Sequence, residues 1–435
     1  MLVYEVQAGG CLQGQVSVPG DKSISHRALL LGAIATGTST ISGLLHGEDV
    51  LVTASVLRQL GVEIESEGDP ARIHGVGLHG LQKPAGPLDL GNSGTAVRLL
   101  MGLLAAQPFA SILVGDVSLS RRPMGRVVEP LRSMGASITM SAGDTLPVHI
   151  GAVEQLHGVR HALSIASAQV KSALLLGGLY AEGRTAVHEP APTRDHTERM
   201  LRGFGYPVVA DGGWVAVDGG GELRGRDMSV PRDLSSAAFF LVGASIAPES
   251  RIVLPSVGLN PTRIGVISVL RDMGASIAVE NERVEAGEPV ADLEVRNAPL
   301  HGVAIGQEQV ALAIDELPIL AIAAACAQGT TIITGAEELR VKESDRIAAT
   351  VSGLCALGVT ADERPDGMAI EGGGLNGGTI ESYGDHRIAM AFAIAGLAAR
   401  ESITVRDCAN VATSFPDFAE LARSAGLRIA VRDGK

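Results

Sequence analysis

The sequence is poor in aromatic residues and in cysteine. Only 3% of its 435 residues are aromatic. Few side chains could therefore stack on bases, and this disfavours binding of single-stranded nucleic acid. No pair among the four cysteines forms a CxxC motif, which predicts free structural thiols in a reducing, cytoplasmic setting rather than a disulfide framework. These cysteines are Cys11, Cys326, Cys355 and Cys408.

The chain also lacks a long apolar run, a leader-like start and an excess of positive charge. Its longest apolar runs, such as ALLLGAIA and PILAIAAACA, fall short of the roughly 18 residues that span a bilayer, so they predict buried helices. The first residues, MLVYEVQAGGCLQG, lack the basic segment of a signal or transit peptide. A net charge of −13 disfavours nucleic acid and anionic membranes as partners.

The residues that are abundant predict a folded, core-building protein. Hydrophobic residues make up 46% of the chain and charged residues 19%. This length is too great for one ordinary core, and two domains of roughly 200 residues are expected.

Six copies of one unit recur along the chain. The segment LRSMGASI at 131–138 returns as LRDMGASI at 270–277, with looser versions elsewhere. Each copy is preceded by a helix that is apolar on nearly all faces and polar in its first turn, which is typical of a helix in the middle of a domain. Because VSVPGD and MSVPRD are nearly identical, we expect two similar α/β domains of three units each, with buried helices. The predicted buried helices lie at 20–37, 91–107, 166–183, 231–247, 314–329 and 384–400.

Basic residues gather at these helix starts and in the short loops after them. The first turn of a helix carries unpaired N–H groups and a partial positive charge, so cations there predict anionic ligands. We therefore expect substrates with several phosphate or carboxylate groups. The basic residues concerned are Lys22, Arg27, Arg98, Arg121, Arg122, Lys171, Arg194, Lys342, Arg346 and Arg387.

Carboxylates and a histidine accompany the cations in the second half of the chain. IDELP places Asp315 and Glu316 at a helix start, VKESDR places Glu343 between two basic residues, and YGDHR contains His386. Such groups can move protons when a closed site shifts their pKa towards neutrality. No cluster has the spacing of metal ligands, so no metal is expected. The phosphate-loop motif GxxxxGK[ST] and the serine-nucleophile motif GxSxG do not occur either.

Nine motifs together identify a family. They are PGDKSISHRAL, LGNSGTAVRLL, RRPMGR, SAQVKSA, PTRDHTE, IDELP, LRVKESDR, YGDHRIAM and SFPDF, and they run from near residue 19 to near residue 418. In this set and order, the sequence resembles the 5-enolpyruvylshikimate-3-phosphate synthase family. The resemblance implies an inverted barrel-like fold of two domains, each with three βαβαββ repeats. It implies an N-terminal domain at 13–230, a C-terminal domain at 1–12 plus 231–435, and an active site in the interdomain cleft.

The resemblance also implies the reaction. Members transfer the enolpyruvyl group of phosphoenolpyruvate to the 5-hydroxyl of shikimate 3-phosphate and release phosphate, through a tetrahedral intermediate. The reaction belongs to the shikimate pathway, which leads to chorismate and the aromatic amino acids. It needs no metal or organic cofactor. The partners expected are the two small-molecule substrates, and neither nucleic acid nor a membrane is expected as a partner. The enzyme is expected to be a cytoplasmic monomer.

Site residues follow from the matching motifs. Asp315 is the expected base at the 5-hydroxyl, and Glu343 the expected proton donor to the methylene carbon, assisted by His386. Lys22 bridges both substrates and is a rival proton donor. The residues expected to bind shikimate 3-phosphate are Lys22, Ser23, Arg27, Ser167, Gln169, Arg194, Asp315 and Lys342. Those expected to bind phosphoenolpyruvate are Lys22, Gly94, Arg122, Gln169, Arg346 and Arg387.

The chain departs from many family members at three positions. Ala168, Arg194 and Thr413 stand where Ser, Tyr and Lys are common. Other members share PTRDHTE and ATSFP with this chain, and that class is associated with glyphosate tolerance. Tolerant members often carry Ala in place of Gly94, so Gly94 predicts an enzyme that glyphosate inhibits.

Two alternatives remain at this point. UDP-N-acetylglucosamine enolpyruvyl transferase shares the fold, but it usually has Asn after the opening Lys and a loop Cys as proton donor. Here Ser23 follows Lys22, and no Cys lies in a Gly/Arg/Pro loop. A repeat-built, anion-binding module without catalysis would explain the six units, but it would not explain acid–base groups placed among cations.

Overall fold

A computed structural model of the chain describes residues 1–66 and 68–434, and every structural statement below concerns those residues. Most helices begin directly after a capping or polar residue and stop near a glycine, as the repeats predict. The α-helices are α1 Lys22–Ile34, α2 Glu48–Gln59, α3 Gly94–Leu104, α4 Gly125–Ser133, α5 Ala168–Gly178, α6 His196–Gly203, α7 Leu234–Ile246, α8 Gly265–Asp272, α9 Gln307–Ala313, α10 Leu317–Cys326, α11 Arg346–Ala356, α12 His386–Ala395 and α13 Phe418–Ala425. Short 3-10 turns lie at Leu119–Arg121, Ile314–Glu316, Glu337–Val341 and Ala409–Thr413.

Short β-strands occupy the segments between the helices. They are β1 Leu2–Val6, β2 Gln13–Gln15, β3 Thr36–Ser42, β4 Glu63–Glu65, β5 Ala71–Val76, β6 Leu88–Asp89, β7 Ser111–Val114, β8 Ile138–Ser141, β9 Thr145–Ile150, β10 Arg160–Ala162, β11 Arg184–His188, β12 Val209–Asp211, β13 Trp214–Asp218, β14 Asp227–Ser229, β15 Arg251–Gly258, β16 Ser276–Glu285, β17 Glu288–Arg296, β18 Ala304–Ile305, β19 Thr330–Ile333, β20 Ala361–Arg364, β21 Gly367–Glu371, β22 Gly378–Glu381, β23 Ile403–Arg406 and β24 Ile429–Asp433.

In the described part of the chain these strands form six four-stranded sheets. The orders are β14-β3-β5-β4, β6-β7-β9-β8, β10-β11-β13-β12, β16-β17-β15-β2, β18-β19-β21-β20 and β22-β23-β1-β24. Each sheet contains one parallel pair, such as β6 with β7, and antiparallel pairs, such as β7 with β9. One sheet with its two helices is thus the repeated unit, and the six copies expected from the sequence are present. The α/β architecture with buried helices is confirmed.

The chain divides into two compact units. The N-terminal unit comprises Gly20–Val230 together with the hairpin tip Glu285–Glu288, and the C-terminal unit comprises Met1–Pro19, Pro231–Val284 and Pro289–Lys435. Three sheets belong to each unit.

Residues 13–19, which the sequence analysis placed in the N-terminal domain, lie with the C-terminal unit. The reason is strand pairing. β2 pairs in parallel with β15, and the Val16 amide donates to the Val253 carbonyl at 2.9 Å. β1 lies between β23 and β24 in the same unit.

Three helices form the centre of each unit, namely α1, α3 and α5 in the first and α7, α10 and α12 in the second. Their side chains are buried on almost every face, as in α7, where twelve residues from Leu234 to Ser245 are buried. Close packing of α3 on α5 depends on Gly102, since a Cβ there would lie 2.1 Å from the Ala173 carbonyl oxygen. All-round burial leaves only the ends of these helices free to carry polar chemistry.

One helical stretch in the described residues, Gln307–Cys326, is long and apolar enough to cross a membrane. It is α9, a 3-10 turn and α10 in succession, and 67% of its most apolar window is buried inside the protein. Core helices pass the same test of length and composition.

Candidate active site

The first turns of the central helices are fixed by side-chain caps. Asp21 accepts from the Ile24 amide at 2.9 Å and Ser93 from the Ala96 amide at 3.2 Å. Ser167 and Asp385 cap α5 and α12 in the same way. Because each cap satisfies one of the unpaired N–H groups, it holds the start of its helix in one conformation. Several of the residues predicted to bind anions stand on or beside these starts, among them Lys22, Gly94 and Arg387.

Lys22 is the first residue of α1 and faces a carboxylate of α2. Its Nζ lies 2.5 Å from Asp49 Oδ2, and the Lys22 side chain keeps 20% of its surface exposed. The ammonium is therefore held in place by an ion pair while part of it remains accessible to a ligand.

Arg27 is buried, and much of its guanidinium is bound to the protein. Nε donates to Thr197 Oγ1 at 2.7 Å, Nη2 to Ser172 Oγ at 2.8 Å and Nη1 to the Ser23 carbonyl at 3.0 Å. Burial lowers the pKa of Arg27 to about 10, and nearby Glu198 opposes that shift. Arg27 therefore ties α1 to α5 and α6.

Gly94 lies against two guanidinium groups at the start of α3. A Cβ on Gly94 would be 2.9 Å from Arg122 Nη1 and 3.1 Å from Arg98 Nη1. Arg98 donates from Nη1 to Gln169 Oε1 at 2.8 Å, and Arg122 from Nη2 to Asn92 Oδ1 at 2.8 Å. The helix start, Gln169 of α5 and two arginines thus form one cluster that can bind an anion.

The remaining predicted residues of the N-terminal unit stand on neighbouring elements. Ser167 is the N-cap of α5, and its Oγ accepts from the Val170 amide at 3.4 Å. Arg194 lies in the loop between β11 and α6, and its charge is among the causes that lower the pKa of Arg27. The structure therefore places Lys22, Ser23, Arg27, Ser167 and Arg194 on three elements that pack together.

Arg346 is the centre of the charged cluster in the C-terminal unit. It is 1% exposed. Nε donates to Asp385 Oδ2 at 2.8 Å, Nη2 to Glu343 Oε2 at 2.5 Å and Nη1 to Asp315 Oδ1 at 3.4 Å. Burial opposes its charge, but Asp385, Glu343 and Asp315 outweigh that effect and raise the pKa of Arg346. One guanidinium thus holds both carboxylates expected to transfer protons.

A second guanidinium contacts the same segment. Arg387 Nη1 donates to the Asp315 carbonyl at 2.9 Å, while Nη2 lies 3.9 Å from Asp315 Oδ2. Asp315 follows the start of the 3-10 turn at Ile314–Glu316, which leads directly into α10. Glu316 is buried, accepts a hydrogen bond from Ser235 Oγ and lies 3.7 Å from Arg387 Nη1, so it borders the same guanidinium as Asp315.

Lys342 and His386 adjoin this cluster. Burial lowers the pKa of Lys342 below its usual value, and Asp315 opposes that shift. His386 is buried at the first position of α12, beside Asp385. Burial would raise the pKa of Asp385, yet Arg346 keeps it below the usual value. Asp385 is therefore a buried anion whose main task is to fix Arg346.

Three residues that support these clusters were not assigned to either substrate in the sequence analysis, although Arg98 was counted there among the cations near helix starts. Arg98 joins Gly94 to Gln169, Asp49 holds Lys22, and Asp385 holds Arg346. Asp385 lies inside the quoted motif YGDHRIAM, so its position could have been examined. No sequence pattern pointed to Asp49, because it lies in the first turn of α2, a helix outside the six predicted to be buried.

One group within the described residues has the make-up of a metal site. Glu63, Glu65 and His74 place one ligand atom each within 4.8 Å of one another, and the two glutamates, on β4, are exposed while His74, on β5, is partly exposed. None of the three belongs to the predicted site, and the charged clusters above need no metal to balance their carboxylates because arginines do so.

The clusters within each unit contain groups of the kinds that an anionic group-transfer reaction requires. Lys22, Arg122, Arg346 and Arg387 can bind phosphate or carboxylate groups by charge-assisted hydrogen bonds. Asp315 and Glu343, held by one arginine, can accept and donate protons. The structure brings the predicted residues together within each unit, and their assignment to particular substrate atoms stays a prediction.

Comparison with known proteins assigns the family. Residues 6–421 match the family model described as EPSP synthase (3-phosphoshikimate 1-carboxyvinyltransferase). A relative from Alkalilimnicola ehrlichii named 3-phosphoshikimate 1-carboxyvinyltransferase is 60% identical over 434 residues, covering 99% of this chain and 97% of the relative. One of the same name from Methylococcus capsulatus is 58% identical over 431 residues, covering 99% of each chain. The solved EPSP synthase of Acinetobacter baumannii is 51% identical, with a TM-score of 0.90 and full coverage of both chains. The chain belongs to the EPSP synthase family.

Proposed function

We propose that this chain carries out the reaction for which its relatives are named. It transfers the enolpyruvyl group of phosphoenolpyruvate to the 5-hydroxyl of shikimate 3-phosphate and releases phosphate, in the biosynthesis of aromatic compounds. The family match along residues 6–421 carries this conclusion. The grouping of Asp315 and Glu343 around Arg346 supplies the chemistry.

Both steps of the reaction need proton transfer. In the addition step, the 5-hydroxyl oxygen bonds to C2 of phosphoenolpyruvate, Asp315 takes the hydroxyl proton, and Glu343 gives a proton to C3 as the C2–C3 double bond becomes single. In elimination, C3 returns a proton, the C2–C3 double bond re-forms, and the C2–O bond to phosphate breaks. Arg346 contacts both carboxylates, which supports their paired use. His386 would assist the proton transfer at C3.

The cations bind two highly charged substrates. Lys22, Gly94, Arg122, Gln169, Arg346 and Arg387 would hold phosphoenolpyruvate. Ser23, Arg27, Ser167, Gln169, Arg194, Asp315 and Lys342, with Lys22, would hold shikimate 3-phosphate. Arg27 has much of its guanidinium bound to Thr197, Ser172 and Ser23, which favours a role in shaping this site with at most a partial ligand role. The expected location of the substrates in an interdomain cleft stays a prediction.

The nucleotide-sugar alternative is not favoured. The relatives at 55–60% identity that match nearly the whole chain carry the name 3-phosphoshikimate 1-carboxyvinyltransferase. We further propose a cytoplasmic enzyme that acts as a monomer. Size-exclusion chromatography with light scattering at several concentrations would test the monomer.

Phosphate release tests the function. Purified protein mixed with phosphoenolpyruvate and shikimate 3-phosphate should release one phosphate per acceptor consumed and form an enolpyruvyl ether detectable by mass spectrometry. UDP-N-acetylglucosamine is the matched alternative acceptor. Turnover with that acceptor alone would favour the other transferase, and no turnover with either would contradict the proposal.

Replacing Gly94 by alanine should alter the site for phosphoenolpyruvate. The new methyl group would lie 2.9 Å from Arg122 Nη1, so the guanidinium has to move away. We expect the KM for phosphoenolpyruvate to rise by about tenfold, which is roughly 1.4 kcal/mol of binding free energy. Glyphosate should inhibit the wild-type enzyme, and the variant should need a higher concentration for half inhibition. Steady-state kinetics with and without glyphosate measure both effects.

Two results would contradict this prediction. One is full wild-type activity in millimolar glyphosate at subsaturating phosphoenolpyruvate. The other is an unchanged KM in the Gly94→Ala variant. Substitution at Gly86 is a suitable control because no atom lies within 4 Å of a Cβ placed there.

A further inference from the structure

Lys171 is a buried cation that the reaction described above does not use. It lies in α5 and is 2% exposed. Its Nζ lies 2.7 Å from Glu189 Oε2 and 2.7 Å from Glu198 Oε1. Glu189 and Glu198 are themselves almost fully buried, with side chains 9% and 3% exposed. A buried ion triad of this kind is costly to desolvate, so its place in the fold is informative.

The two carboxylates lie at the two ends of one loop. Residues 189–195 join β11 to α6 and contain Pro190, Pro192 and Arg194. Glu189 is the first residue of this loop, and Glu198 stands in the first turn of α6, just after the loop ends. Thr193 Oγ1 donates back to Glu189 Oε1 across the loop. Lys171 therefore fixes both ends of the segment that carries Arg194.

The same lysine stands one turn away from other predicted ligands. Its backbone amide donates to the carbonyl of Ser167 at 3.0 Å, and Gln169 is two residues before it. Ser172, the next residue, bonds to Thr197 at 2.7 Å and to Arg27 Nη2 at 2.8 Å. The start of α5, the Arg194 loop, α6 and Arg27 of α1 are thus joined through one short stretch of α5.

The charges of this group balance. Lys171 and Arg27 are positive, and Glu189 and Glu198 are negative. Glu198 acts electrostatically on both cations. Burial alone would lower the pKa of Lys171, but Glu198 and Glu189 outweigh it and raise the pKa. Removing one member alone would leave a buried charge without its partner, which is why the group is best tested by paired substitutions.

We propose that Lys171 is a positioning residue for shikimate 3-phosphate, which fixes the Arg194 loop against the first turn of α5 through Glu189 and Glu198. This inference rests on the proposed function. The phosphate of the acceptor needs its cation and its hydroxyl and amide donors in one fixed geometry. A loop of seven residues with two prolines is stiff but not anchored by itself, and Lys171 supplies the anchor.

The test compares a charge-balanced variant with the wild type. Lys171→Met/Glu198→Gln removes the ammonium that binds both ends of the loop together with one of its two carboxylates, so the net charge of the group does not change. We expect its Kd for shikimate 3-phosphate, measured by calorimetry, to rise at least tenfold. The KM for phosphoenolpyruvate at saturating acceptor should stay within threefold. The single variant Lys171→Met should be less stable than the double variant.

Val148→Ala is the matched control for loss of stability alone. Val148 is a fully buried residue of β9, and β9 belongs to a different sheet from β11, the strand that precedes the loop. This variant should unfold at a lower temperature but bind shikimate 3-phosphate like the wild type. If the double variant does not fold, Glu189→Ala replaces it, because that change releases the start of the loop from both Lys171 and Thr193.

The outcomes separate the two proposals. If the wild type releases no phosphate from the two substrates, the proposed function fails. If the wild type is active and the folded variant binds shikimate 3-phosphate within twofold of it, only the role of Lys171 fails. A lowered unfolding temperature with unchanged binding would likewise make Lys171 a stabilising residue and overturn the inference.

Discussion

Replacing Asp315 by asparagine should lower kcat by about 10²–10⁴-fold, the usual contribution of a general base. The amide has the shape of the carboxylate but cannot take the 5-hydroxyl proton. Asp315 lies 3.4 Å from Arg346 Nη1, and Arg387 donates to its backbone carbonyl, which the substitution keeps. Both arginines lose a neighbouring negative charge, so their attraction for phosphoenolpyruvate should not fall. We expect its KM to stay unchanged or decrease.

Steady-state kinetics over a range of pH measures this effect. The acidic limb of the kcat profile should disappear in the variant if Asp315 is the base, because protonation of that group no longer limits turnover. Asp345→Asn is the control. Asp345 caps α11 through the Ala348 amide at 3.1 Å, and asparagine caps helices as well as aspartate does. A kcat within tenfold of the wild type in Asp315→Asn would refute the role as base.

Replacing Lys22 by methionine should damage binding and turnover together. Methionine keeps most of the apolar stem but removes the charge that would bridge both substrates. We expect kcat/KM to fall by about 10³-fold for each substrate, roughly 4 kcal/mol of transition-state binding. The KM for phosphoenolpyruvate should rise in this variant, which separates Lys22 from Asp315, whose replacement should leave that KM unchanged or lower it.

Asp49 allows the loss of stability to be separated from the loss of function. In Lys22→Met the Asp49 carboxylate, whose side chain is 8% exposed, loses its partner at 2.5 Å. The double variant Lys22→Met/Asp49→Asn removes the unpaired charge, so its thermal unfolding should return towards that of the wild type. Its kcat/KM should stay low. Recovery of activity in the double variant would show that Lys22 acts only on the fold.

The sequence by itself determined the repeated unit and the positions of its polar ends. An all-apolar helix such as α7 must be buried wherever the chain goes, and a capping residue such as Asp21 or Asp385 marks where its first turn begins. Both signals are local. Six such helices, with cations at several of their starts, were therefore enough to predict an α/β fold and anionic ligands, and the quoted motifs were enough to identify the family.

Only the tertiary structure decided which strands close each sheet. β14, at the end of the N-terminal unit, pairs with β3 near its start, and β2, near the start of the chain, pairs with β15 in the second half of the chain. The sequence of neither short strand predicts the strand with which it pairs. Pairing at the edge of a sheet depends on which backbone N–H and C=O groups remain unpaired once the unit has packed. For that reason residues 13–19 lie with the C-terminal unit.

The partners of the buried charges were also decided by tertiary structure. Arg27 bonds to Thr197, 170 residues away, and Arg346 to Asp385, 39 residues away. Sequence identified these arginines as cations at helix starts, where each was expected to bind substrate. Burial adds a second role, since a desolvated guanidinium must also find acceptors inside the protein. Local sequence determines where a charge enters the fold, and packing determines which groups it must satisfy there.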